Sequence, residues 1–254
     1  MYRFLIKPKW LLFHLVIVLA MVAMVALGFW QLRRLDERRE FNAKVRTRSE
    51  QTVVALDALV PAGGTPDVAT VEYLPVAFTG TYVPGLRYEF SMQRDDITGR
   101  DLYAMVELAD GTVVIVDRGW LPAGTPSPAL PTGEVRITGR LRQPDTGGTG
   151  QTAETGAEPV PIFRVDVNDI ADDAGATPRA MYVERITAVP DEPREMTPVP
   201  FPDLGEGPHF GYAVQWFLFA LCTLAGWGFA VAKKVSDLKD PESVTRVDDD
   251  APVF

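Results

Sequence analysis

The sequence predicts a membrane protein in which two transmembrane helices bracket a β-rich extracytoplasmic domain, an antiparallel sandwich or barrel-like body with minor helix. Three observations carry this. A long apolar run lies near each end of the 254 residues. Between the runs the hydrophobic period changes from helical to two. Mean hydropathy is close to zero although 23% of the residues are charged, so charge is segregated from apolar sequence. That segregation excludes an ordinary cytosolic globular protein and disorder as the main state. A net charge of −9 argues against nucleic-acid binding, and a single cysteine excludes a disulfide framework.

The elements follow in order. Residues 1–9 form a short tail with Arg3, Lys7 and Lys9 and no acid. Trp10 to Trp30 is apolar except for His14, long enough to cross about 30 Å of hydrocarbon, with a Trp at each end. It exceeds the apolar core of a signal peptide and is read as an uncleaved anchor. Residues 31–209 form the exposed domain. Phe210 to Ala232 is the second span, and Lys233-Lys234 closes it. Cys222, Gly226 and Ala230 make a small-residue stripe suited to helix packing, or merely reflect the abundance of small residues in such helices. Residues 233–254 form an acidic tail. The basic tails place both termini in the cytoplasm, against the weaker opposing signal of Arg33, Arg34, Arg38 and Arg39.

Within the domain, Gln31 to about Val60 reads as helix. Strands are expected at Val71–Tyr82, Tyr88–Met92, Leu102–Leu108, Thr112–Asp117, Val135–Leu141, Phe163–Val167 and Met181–Ile186. Ala109-Asp110-Gly111 is a hairpin signal. A short helix is expected at Asn168–Ala174, capped by Asn168 or Asp169. Residues 144–160 read as an excursion between strands, and the six prolines of residues 188–208 as extended chain. The domain holds 18 basic and 28 acidic residues, and all the basic ones but Lys44 are arginine. That preponderance reads as coding bias.

Chemistry is constrained by what is absent. The two histidines, His14 and His209, belong to the apolar segments, so the domain offers no imidazole or thiolate for a triad or a zinc site. Gly147-Gly148-Thr149-Gly150 lacks the Lys-Ser/Thr of a phosphate loop. Asp95-Asp96, Asp172-Asp173 and Asp248-Asp249-Asp250 read as solvated carboxylates. A helix starting at His209 stacks His209, Tyr212, Ala213, Trp216 and Ala220 on one face, with Phe210 and Phe217 beside it. Spacing leaves two readings for His209: an axial ligand to a flat apolar ring such as haem, or an interfacial histidine in an aromatic belt. His14 lies about 24 Å away along the first span at 1.5 Å per residue. It is expected at the opposite membrane face and cannot share one iron with His209.

Three motifs resemble one known family. Gly28-Phe29-Trp30-Gln31-Leu32-Arg33-Arg34 is similar to the Gly-x-Trp-Gln-x-x-Arg signature of the surfeit locus protein one family. Val116-Asp117-Arg118-Gly119-Trp120-Leu121-Pro122 resembles its Asn-Arg-Gly-Trp-Val/Ile-Pro segment. Pro208-His209-Phe210-Gly211-Tyr212-Ala213-Val214-Gln215-Trp216-Phe217 resembles its Asn-His-Leu-x-Tyr-Ala-x-x-Trp-Phe opening of the second span. Gly80-Thr81-Tyr82, Gly139-Arg140-Leu141-Arg142 and Met181-Tyr182-Val183 fall in order between them, and the similarity covers about residues 10–235. Asp117 and Pro208 each stand where the family usually has Asn.

The resemblance implies an assembly factor for the haem–copper cytochrome c oxidase, not an enzyme. It implies that haem a is bound at the outer leaflet and delivered to the catalytic subunit. His209 is then the haem iron contact, with Tyr212 and Trp216 as pocket walls. The implied partners are the membrane, the oxidase catalytic subunit and haem a synthase. Arg118 and Trp120 are either a structural turn, the favoured reading, or a contact with the membrane surface. Arg33 and Arg34 meet either haem propionates or lipid headgroups. The alternative function is a docking scaffold for oxidase assembly that binds no haem. A sensor would need an output module, and a hydrolase would need more than carboxylates. With no long leader before the first span, the expected location is a bacterial inner membrane, with the central domain periplasmic.

Overall fold

The computed structural model describes residues 2–94, 96–146, 159–172 and 174–239. Helix α1 spans Pro8–Ser49 and helix α5 spans His209–Lys239. Both are long and apolar enough to cross a membrane. Between them in sequence come β1 (Val54–Ala55), α2 (Leu56–Leu59), α3 (Val68–Val71), β2 (Pro75–Arg94), β3 (Ile97–Glu107), β4 (Thr112–Pro122) and β5 (Glu134–Arg142). These are followed by β6 (Val160–Ile162), α4 (Val167–Asp172), β7 (Thr177–Pro178) and β8 (Tyr182–Val189). Contacts divide the chain into two compact units, Met1–Asn42 with Leu204–Phe254, and Ala43–Asp203.

The second unit is a closed sheet. Its order is β1-β2-β3-β4-β8-β5, and β2 also pairs with β5, so five strands form a ring. Strand β2 makes closure possible because it is long. Its residues Pro75–Thr81 pair with β5 and Thr81–Arg94 with β3, the register shifting between Tyr82 and Arg87. Within the ring every pairing is antiparallel except that of β4 with β8, which run parallel through Val116↔Val183 and Asp117↔Glu184. Closing the ring leaves no long unpaired edge inside it.

The interior is lined by alternate residues of the ring's five strands: Val76 and Tyr82, Ala104 and Val106, Val114 and Val116, Ile137 and Leu141, and Val183. Leu56, Val60 and Val71 pack against the same core. The other face of β3 and β4, through Met105, Val113 and Ile115, is covered by Val167, Ile170 and Ala171 of α4. Strand β4 is therefore buried on both faces, which is why its apolar run Val113–Val116 does not alternate.

Several expectations are corrected. The helix expected to reach Val60 stops at Ser49. Arg48 there donates to the carbonyls of Ala69 and Glu72, and Val54–Ala55 joins the edge of β2. The strand expected from Val71 starts at Pro75, because Asp67 caps α3 through the Ala69 N–H at 3.0 Å. Phe163–Val167 is not a strand: Phe163 is exposed, and Asp166 accepts from the Asn168 N–H at 3.0 Å to start α4. The cap is thus Asp166, not Asn168 or Asp169. The Asp110-Gly111 hairpin forms, with Gly111 at φ +79. Residues 190–208 are extended or turned, without helix. In the small-residue stripe Cys222 is exposed, a Cβ added to Gly226 would meet no atom within 4 Å, and Ala230 is half-buried. Most of the 144–160 excursion, Asp95, Asp173, Gly147–Gly150 and the acidic tail beyond Lys239 lie outside the described residues.

Candidate functional site

The helical unit is an antiparallel pair, and its side chains fix the register. Gly28 of α1 faces Phe217 of α5 so closely that a Cβ there would lie 2.7 Å from the ring. Phe29 meets the same ring edge to face, with centroids 5.4 Å apart. Further along, Thr223 Oγ1 lies 3.7 Å from Met24 Sδ. Ala213 and Ala220 are buried at this seam.

Each histidine sits at one end of the pair and has a partner on the other helix. His209 Nδ1 lies 2.9 Å from Gln31 Oε1. Trp227 Nε1 donates to His14 Nδ1 at 3.0 Å. The two histidines thus lie at opposite ends of the helix pair and do not converge.

The His209 end is strapped down by a stripe on α1. Arg38 Nε donates to the Gly205 carbonyl at 3.0 Å. Arg39 grips Glu206 with two hydrogen bonds of 2.9 and 3.0 Å. Asn42 Nδ2 donates to the Leu204 carbonyl at 2.7 Å. Gln31, Leu35, Arg38 and Asn42 are spaced four, three and four apart, hence share one helix face. Leu35 is buried in the middle of it. Gly207 then turns the chain at φ +69, and the Pro208 carbonyl accepts the Tyr212 N–H at 3.1 Å to open α5. A helix start with proline in place of Asn is therefore intact, and His209 is the first helical residue.

The other expected site residues are placed as follows. Tyr212 is about half exposed, and the Trp216 ring lies 5.9 Å from that of Phe219. Arg34 pairs with Glu37 at 2.8 Å, and its guanidinium lies over the Trp30 ring. Sequence reasoning had Gln31 only as part of a motif and Arg38 and Arg39 only as charges, and it passed over Asn42. The signal for Gln31 was there: if Trp30 and Phe210 end their spans at one level, Gln31 and His209 must be neighbours.

In the β unit the motif residues are structural. Arg118, fully buried, donates to both oxygens of Glu192 at 2.9 and 2.6 Å, and its guanidinium lies over the Tyr82 ring. Trp120 is buried and exchanges backbone hydrogen bonds with Thr197. Asp117 accepts from the Gly119 N–H at 3.0 Å. Burial, then the nearby Asp101 and Glu184 carboxylates, hold its carboxyl well above the usual range. A neutral carboxyl can donate as well as accept, much as the Asn usual at this position would. Asp101 is pushed up to about 6 by burial, although Arg94 donates to it at 2.6 Å. Arg140 pairs with Glu184 and also donates to the carbonyls of Val199 and Pro200. No group of three or more metal-ligating side chains occurs among the described residues.

These features define a class: a closed β unit inserted in sequence between two apolar helices whose ends carry paired polar side chains. A sequence model of the SURF1 family matches residues 18–221, and the chain belongs to that family. An uncharacterised SURF1-like protein of Mycobacterium bovis is 27% identical over 237 residues, covering 89% of this chain and 84% of its own. A SURF1-like protein of Mycobacterium tuberculosis, also uncharacterised, matches to the same extent. A SURF1-like protein of Rickettsia felis is 26% identical over 110 residues, 42% of this chain and 45% of its own.

Proposed function

We propose that this chain is an assembly factor for a haem–copper cytochrome c oxidase. In this reading it holds haem a at the outer leaflet and presents it to the catalytic subunit. The observation that carries the reading is the His209–Gln31 pair at the mouth of two apolar helices. One half-buried imidazole with exposed aromatic neighbours, Phe210 at 61% and Trp30 at 43%, fits an apolar ring with one axial bond. It does not fit a metal ion that needs several protein ligands. Haem a, when bound, supplies the iron porphyrin that an oxidase subunit incorporates.

The chain's own residues hold and orient. His209 offers one ring nitrogen. Tyr212, three residues on, and Trp216 are the proposed walls of the pocket. The straps at Arg38, Arg39 and Asn42 fix the approach to His209. A carrier needs release as well as capture, and a single strong ligand suits that. Both tails are cytoplasmic in this reading and the β unit is periplasmic, where it docks on the oxidase subunit or on haem a synthase. The chain catalyses no reaction.

The test is a visible spectrum of the detergent-purified protein co-expressed with haem a synthesis. Haem a bands in the wild type that vanish or shift in His209→Ala support a carrier with His209 as ligand. Bands unchanged in the mutant move the ligand elsewhere. Haem absent from both, with synthesis verified, leaves a docking scaffold.

A further inference from the structure

We infer that the two histidines are held in opposite tautomers by their partners, and that Gln31 is the positioning residue that leaves His209 Nε2 free to bind a metal. An indole N–H only donates, so the His14 Nδ1 that accepts from Trp227 at 3.0 Å carries no proton. In the neutral ring the proton then sits on Nε2, and His14 has no lone pair to spare. A carbonyl oxygen only accepts, so the His209 Nδ1 lying 2.9 Å from Gln31 Oε1 carries the proton. His209 Nε2 keeps its lone pair.

A second observation concerns the space at that nitrogen. A Cβ on residue 207 would lie 3.4 Å from His209 Cδ2 and 3.6 Å from Nε2. Gly207 sits at φ +69, a conformation that favours glycine, and so lies beside this edge of the ring without placing a side chain against it. Ligating histidines commonly give their other N–H to a fixed acceptor, which sets the tautomer and the ring plane. Gln31 does this for His209. Trp227 does the reverse for His14. One residue type, at two ends of one helix pair, is thus set once to ligate and once not to. The metal-binding part of this inference rests on the haem reading above; the tautomers do not.

The experiment uses the full chain in detergent, labelled with nitrogen-15 histidine. With only two histidines the imidazole spectrum is simple, and His14→Gln and His209→Gln assign it. Two neutral rings of opposite tautomer are expected above the histidine titration range. Gln31→Met should convert His209 toward the Nε2–H form, whereas Gln31→Glu, which keeps an acceptor, should not. Trp227→Phe should change His14 alone. In parallel, ferric haem is titrated and followed at its main absorption band. Gln31→Met should bind about 10–100-fold more weakly, with Gln31→Glu close to wild type. An Nε2–H form of His209 in the wild type, or a Gln31→Met spectrum and affinity like the wild type's, overturns the inference. Opposite tautomers in a wild type that takes up no haem would leave the assignment standing and remove the carrier reading instead. Haem lost in His209→Ala but indifferent to Gln31 would do the opposite.

Discussion

Glu192→Gln is expected to destabilise the β unit sharply. The side chains of Arg118 and Glu192 are 1% and 2% exposed. Two charge-assisted hydrogen bonds join them, and the Tyr82 hydroxyl adds a third to the same carboxylate at 3.3 Å. The substitution removes the negative charge and leaves a buried guanidinium with the Pro128 and Ala129 carbonyls, at 3.4 and 3.3 Å, too long to compensate. Removing one partner of a buried pair costs about 3–5 kcal/mol. A glutamine that retains one hydrogen bond puts the expectation at the lower end, about 3 kcal/mol. For a domain of this size each kcal/mol moves Tm by about 2–4 °C, so a fall of roughly 6–12 °C follows. Thermal unfolding of the full chain in detergent, followed by near-ultraviolet circular dichroism, measures it. Arg118→Met with Glu192→Leu should recover most of the loss, because an apolar pair carries no uncompensated charge. A Glu192→Gln protein that melts within about 2 °C of wild type, or a double variant whose loss is the sum of the singles, would refute the reasoning.

Three further outcomes are expected. Asp101 binds a proton more readily folded than unfolded, so its contribution to stability grows as pH falls through about 6 and is complete below the ordinary carboxylate range. Asp101→Asn should flatten the rise in chemical-denaturant stability between neutral pH and pH about 4, and an unchanged slope would contradict the assignment. Arg179→Met removes donors to Thr112 Oγ1, the Val60 carbonyl, Asp57 and Asp110, at 2.6 to 2.8 Å, and should cost about 2–3 kcal/mol in urea unfolding. Gly28→Leu should force Phe217 out of the seam. In a Cys222→Ser background, disulfide formation between cysteines placed at Met24 and Thr223 should then slow several-fold, and an unaltered rate would show that the seam accommodates the side chain.

The apolar runs, the hairpin and most strands were legible because each depends on local pattern. Trp10–Trp30 and Phe210–Ala232 need only length and composition. What was not legible depends on partners far away in sequence. Val54–Ala55 lacks any strand signal of its own and is one because β2 offers an edge. Phe163–Val167 alternates perfectly, yet Asp166 turns the chain into α4. Strand β2 read as two because nothing local says that Pro84 can be spanned when its two halves serve different neighbours. The abundance of arginine, read as coding bias, proves structural at Arg118, Arg140, Arg179 and Arg185, all buried. At Arg118, Arg140 and Arg179 the planar fork reaches several acceptors at once, as lysine cannot, and Arg185 donates to the Arg118 carbonyl. At the candidate site, His209 announced itself by rarity. Gln31 did not stand out by type, since a polar residue beside Trp30 is what any span ending would show; only its level with Phe210 marked it.

The ring of strands also dictates when the β unit can exist during synthesis. Strand β5 finds β2 about sixty residues upstream, and β8, which supplies the last seam between β4 and β5, ends at Val189. No earlier stretch can close the circle, and only some twenty residues separate Val189 from the start of α5. Contacts of such wide sequence separation form slowly. Any sheet paired before then keeps an open edge, and the ring is completed only when nearly the whole unit has emerged, just as the second apolar helix follows. Keeping such an edge from pairing with another chain is a burden this topology places on the cell that makes the protein.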